Sequence, residues 1–111
     1  MAKKRREISE KIKNQEDLRK RQHKLDSIKT DFEAGKIISF EQIFAVMAES
    51  RFATELRMGF ITFRNKVNSP GDFTLNELIR FAELVGIDVQ MVLKFIFGQI
   101  NKTKVQAKRN S

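Results

Sequence analysis

The sequence predicts an all-α protein: five short helices around one core, preceded by an additional basic helix. Three observations carry this expectation. Apolar residues recur at helical spacing along the chain. Period-two alternation and β-hairpin dipeptides are missing. Three separate helix starts use the same cap-and-staple grammar. The chain has 111 residues, of which 41% are hydrophobic, enough for one small domain with a real core.

The first 30 residues are rich in Lys, Arg, Glu and Gln, all good helix formers. Only Leu25, Ile28 and Phe32 make an apolar stripe, so a helix over 16–34 docks by its C-terminal end. Residues 1–15 read as mobile or marginally helical, and Gly35 ends the helix. Ser39 then caps a helix over 39–48, with Gln42 closing a capping box and Ile38 and Ile43 as staple. Ser50 caps a helix over 50–58 with Phe52, Ala53 and Leu56 inward. A helix over 59–68 follows, with Met58, Phe63 and Val67 inward. "NSPGD" stops it, because the residue before proline is pushed out of the α region and Pro-Gly is a turn signal. Thr74 with Glu77, and Phe73 with Leu78, start a helix over 74–85. Asp88, with Ile87 and Val92, starts the last, over 88–101. That helix is apolar nearly all round, so it is covered twice. Its cover is the N-terminal helix or a second copy, making a homodimer.

The net charge of +8 is uneven: residues 1–30 carry +6, 31–100 carry −2 and 101–111 carry +4. The division is a basic N-terminal arm and helix (1–35), a folded domain (36–101) and a basic, disordered tail (102–111). Basic flanks fit a polyanion, and fit solubilising tails about equally well. Lys3, Lys4, Arg5 and Arg6 form an arm suited to tracking phosphates. The chain has no cysteine, one histidine (His23) and no glycine-rich phosphate loop. Neither an enzyme nor a metal or cofactor site is expected from such a set, nor a small-molecule substrate. No apolar run reaches membrane-span length and no signal core precedes the domain, so a cytoplasmic protein is expected.

"SRFATELRMGFITFRNKVN" (50–68) has the layout of a helix-turn-helix, with Ala53, Met58 and Phe63 at the motif's buried positions. The stretch that follows, "FRNKVNSPGDFTLNELIRFAELVGID" (63–88), resembles the region after the recognition helix in phage-repressor and Cro-type domains. Over about residues 37–100 the chain resembles the lambda-repressor-like, Cro-type helix-turn-helix superfamily. The resemblance implies a compact five-helix helix-turn-helix domain and a DNA-binding transcriptional regulator of bacterial or phage type, nucleoid-associated when bound. The helix 59–68 would lie in the major groove of double-stranded DNA. Gly59, Phe60, Ile61, Arg64 and Asn65 would face the groove, with Asn68 at its rim. Arg64 would read guanine and Asn65 adenine. Ser50, Arg51 and Lys66 would hold phosphates.

Three features depart from the motif, one of them Gly59, which stands where a serine or threonine cap is common and caps less well. Arg57 stands where its turn glycine falls, and a left-handed arginine is costly, so a turn opened or shifted by one residue is expected. Phe60 and Ile61 occupy places that are usually polar. They fit thymine methyls, and equally a protein-binding patch. The alternative function is therefore a protein-interaction or oligomerisation module that keeps the fold without reading DNA sequence. RNA binding ranks lower, because the aromatic-basic interleaving of RNA modules is missing.

Overall fold

The computed structural model describes the backbone of residues 2–110 and the side chains of residues 13–102. Six α-helices follow one another, with no strand among the described residues: α1 (Ala2–Glu33), α2 (Phe40–Val46), α3 (Glu49–Glu55), α4 (Phe60–Asn68), α5 (Leu75–Val85) and α6 (Val89–Asn110). A 3-10 turn at Pro70–Asp72 fills the predicted stop between α4 and α5.

Both terminal helices exceed their expected bounds. α1 is helical from Ala2, where a mobile start was expected. α6 continues to Asn110, through the stretch read as a disordered tail. Neither extension contains a glycine or proline, and long basic side chains are good helix formers, so nothing local stops either helix. The side chains of Lys3, Lys4, Arg5 and Arg6 lie outside the described residues.

The core is a phenylalanine network. Phe40 meets the rings of Phe44, Phe63, Phe73 and Phe95. Phe52 meets Phe44, Phe63 and Phe81. Phe32 brings α1 into it, edge-on to Phe81 and Phe95 at 6.0 and 5.4 Å between centroids. Edge-to-face pairs at such distances add to simple burial. Leu25 and Ile28 are buried beside Phe32, so α1 packs on the domain, chiefly against α5 and α2; the second covered side expected of α6 is not found, since Met91 and Phe97 stay 39% and 61% exposed. Of the ten phenylalanines only Phe60 and Phe97 stay outside the network, 41% and 61% exposed.

Helix starts follow the sequence closely in α5 and less so elsewhere. At α5 the Glu77 amide donates to Thr74 Oγ1 (3.2 Å) and the Thr74 amide to Glu77 Oε1 (2.8 Å), with Phe73 and Leu78 both buried. At α6 the Gln90 amide donates to Asp88 Oδ1. At α2 the Ser39 amide donates to Gln42 Oε1, but Ile38 is 63% exposed and does not close a staple over buried Ile43. Its amide and carbonyl explain this: the amide donates to Gln42 and the carbonyl accepts from Gln99 and Lys102, turning the side chain outward. At α3 the cap is Ala48, not Ser50. Starting two residues early brings Phe52, Ala53 and Leu56 fully inward, and that burial outweighs the lost serine cap.

Candidate functional site

α3 and α4 meet at a tight corner, Leu56–Gly59. Arg57 turns it with φ +60°, the left-handed region. The turn is therefore neither opened nor shifted, contrary to expectation. The Arg57 amide donates to the Thr54 carbonyl and the Met58 amide to the Ala53 carbonyl, both at 2.9 Å. These two bonds form the Schellman pair that normally accompanies a glycine. Leu56 is buried, and its carbonyl accepts from Arg80 Nη1 at 3.1 Å. One residue before it, Glu55 takes a two-pronged bond from Arg21 of α1, 2.9 and 2.8 Å. Arg21 holds the Glu55 carboxyl below its ordinary value, against the opposing effect of burial.

Gly59 caps α4 with its backbone alone and leads into a first turn without an acidic residue. The positive end of the helix dipole there is thus unneutralised by local carboxylates. Phe63 is 0% exposed and fixes the inner side of α4; Met58 and Val67 pack half-buried beside it. This orientation leaves Gly59, Phe60, Ile61, Arg64, Asn65 and Asn68 exposed. Ile61 is the most open apolar residue of the set, 71% exposed. The Arg64 guanidinium sits 5.7 Å from the Phe60 ring centroid, within cation–π range. Phe60 is thereby a platform for Arg64 as well as an apolar surface.

The remaining predicted site residues have other neighbours. Lys66 is half-buried and binds both Glu77 oxygens, 2.6 and 2.7 Å, tying α4 to the start of α5. Its ammonium serves the fold rather than standing open for a phosphate. Burial pushes the Glu77 carboxyl up, but the bonds from Lys66 and the Thr74 amide outweigh it and leave it below its ordinary value. Arg51 Nε lies 3.2 Å from Glu55 Oε1 as an ion pair, with its side chain 56% exposed. Ser50 is exposed, and its carbonyl accepts from Thr54 Oγ1 inside α3. His23 is exposed, and no metal-ligating group of acids and histidine occurs among the described residues.

Sequence reasoning missed Arg21 and Arg80, and of Glu77 it read the α5 cap but not the bond to Lys66. Each acts on the α3–α4 unit from another element, at separations of 34, 24 and 11 residues. No local pattern signals such pairs. None of the helices is long and apolar enough to cross a membrane among the described residues. Protein-family models, curated proteins and solved structures were all compared with the chain, and none matches.

Proposed function

We propose that this chain binds double-stranded DNA as a helix-turn-helix regulator of the lambda-repressor-like, Cro-type kind, with α4 entering the major groove. The observation that carries the reading is the face of α4: a helix pinned by buried Phe63 turns Arg64 and Asn65 outward from a corner held by Arg80 and Arg21. Arg64, steadied on Phe60, pairs with guanine O6 and N7, and Asn65 with adenine N6 and N7. Ser50 and Arg51, exposed at the start of α3, hold a backbone phosphate. The basic flanks add salt-sensitive anchoring without sequence information. Two copies reading successive grooves, about 34 Å apart, would suit a homodimer.

The test is a duplex titration at several salt concentrations combined with selection for preferred sequences. Arg64→Ala is expected to cost about 1–3 kcal/mol and to relax selection at one base pair. Lys66→Ala is expected to leave the salt slope nearly unchanged, since its charge is paired with Glu77. Duplex binding that is absent at low salt, or whose sequence preference survives Arg64→Ala, would overturn this mode.

The second reading, a protein-interaction or oligomerisation module, is favoured by the exposure of Phe60 and Ile61 side by side. It predicts that Phe60→Ser with Ile61→Ser abolishes association with a protein partner or a second copy, whatever the DNA result.

A further inference from the structure

A groove of about 530 Å³ lies between α6 and the segment that joins α1 to α2. The two walls run in the same direction. Phe32 meets Phe95 at one end, and at the other Lys102 Nζ donates to the Ile38 carbonyl at 2.7 Å. The α6 wall is a single stripe, Met91, Lys94, Phe95, Gly98, Gln99 and Lys102, recurring at three- and four-residue steps. The stripe covers about 16 Å of helix, three turns. None of these residues belongs to the candidate face of α4.

Three features describe the occupant. The surface is apolar and open, with Ile38 63% and Met91 39% exposed above the buried rings of Phe32 and Phe95. Gly98 lies mid-helix, where glycine is unfavourable, yet a Cβ there would meet nothing within 4 Å. The fold itself has no use for a bare backbone at that point, whereas a close-approaching helix does. Lys94 flanks the stripe and Lys102 ends it two turns further along α6, while Glu33, on the opposite wall, is partnered by Lys29 at 3.8 Å. Lys102 keeps ammonium protons beyond the one given to Ile38.

We propose that this groove docks an amphipathic helix of a partner protein whose apolar face is bordered by carboxylates. The apolar residues pack over Gly98 between Ile38 and Met91, and the carboxylates meet Lys94 and Lys102. This is helix-in-groove recognition, with charge setting which helix is accepted.

The test uses the full chain and two synthetic peptides of about four helical turns. Both carry one leucine stripe; one borders it with glutamates, the other with lysines. The glutamate peptide is expected to bind roughly tenfold more tightly than its lysine counterpart, the effect of two partly exposed charge pairs. It is expected to shift the amide resonances of Ile38, Met91 and Gly98. Gly98→Leu, which fills the groove at a site with room for a side chain, should abolish binding with the thermal midpoint unchanged or raised. Lys94→Glu should reverse the preference between peptides. Equal binding of both peptides, binding of neither, or binding that survives Gly98→Leu would overturn the proposal. So would self-association of the chain that Gly98→Leu removes, which would make a second copy the occupant.

Discussion

The corners at Gly35 and Arg57 close with the same pair of hydrogen bonds and are turned by opposite kinds of residue. At the first, the Gly35 amide donates to the Phe32 carbonyl and the Lys36 amide to the Asp31 carbonyl, with φ +72°. At the second, Arg57 and Met58 repeat the pattern on Thr54 and Ala53, with φ +60°. Glycine enters that region freely, whereas a residue with a Cβ gives up about 1–2 kcal/mol there. The surroundings account for the difference. A Cβ built on Gly35 would meet nothing within 4 Å, and that corner is held less directly, by buried Phe32 before it and by Gln42 Nε2 donating to the Lys36 carbonyl after it. The Arg57 corner is clamped from outside by Arg80, by Arg21 through Glu55, and by buried Leu56. Strain at a corner is thus tolerated where tertiary contacts over-determine it.

The comparison can be broken hardest at the clamp. Leu56→Ala should cost about 2–5 kcal/mol in urea unfolding, because it empties a fully buried position at the base of the Arg57 corner. The same corner should then lose amide-exchange protection before the Gly35 corner does. Gly35→Arg makes the first corner chemically like the second without its clamps. It should cost about 1–2 kcal/mol, chiefly as backbone strain, since a Cβ there meets nothing within 4 Å.

Smaller effects sharpen the contrast. Glu55→Gln should cost about 1 kcal/mol at neutral pH, a modest value because Arg21 is partly exposed. Its sign with pH follows from linkage. The folded Glu55 carboxyl titrates below its unfolded value, so the unfolded chain binds more protons in that range. The stabilisation is complete above the unfolded value, about 4.3, and is lost as pH falls through the folded one. The gap between wild type and Glu55→Gln should therefore close in acid unfolding curves below that point. Arg57→Gly is the smallest change at these two corners and the only one there expected to stabilise, by about 0.5–1 kcal/mol, since relief of strain is partly offset by the freer unfolded chain. If duplex affinity falls while the thermal midpoint rises, the arginine is kept at that corner for binding rather than for folding.

The same division runs through the molecule. Thr74, Glu77, Phe73 and Leu78 announce α5 because a cap and its staple lie within five residues of one another, so a local pattern is enough. Most of the phenylalanine core was legible for a similar reason: rings at helical spacing must share a buried side. Of the candidate face, the exposure of Phe60, Ile61, Arg64 and Asn65 could be read from the inward spacing of Met58, Phe63 and Val67. The fate of Lys66 could not, since its partner Glu77 belongs to the next helix.

By itself, then, the sequence determined the helical class, most helix starts and the inner side of most helices, though not of α6, because these depend on interactions within about one turn. Only the tertiary structure decided that Ala48 replaces Ser50 as a cap, that Ile38 faces out beside a groove, and that Arg57 holds a left-handed turn. Each of those outcomes sets a local preference against burial or hydrogen bonds from distant elements. A local preference is worth about 1 kcal/mol, and a buried side chain or an over-determined corner outweighs it.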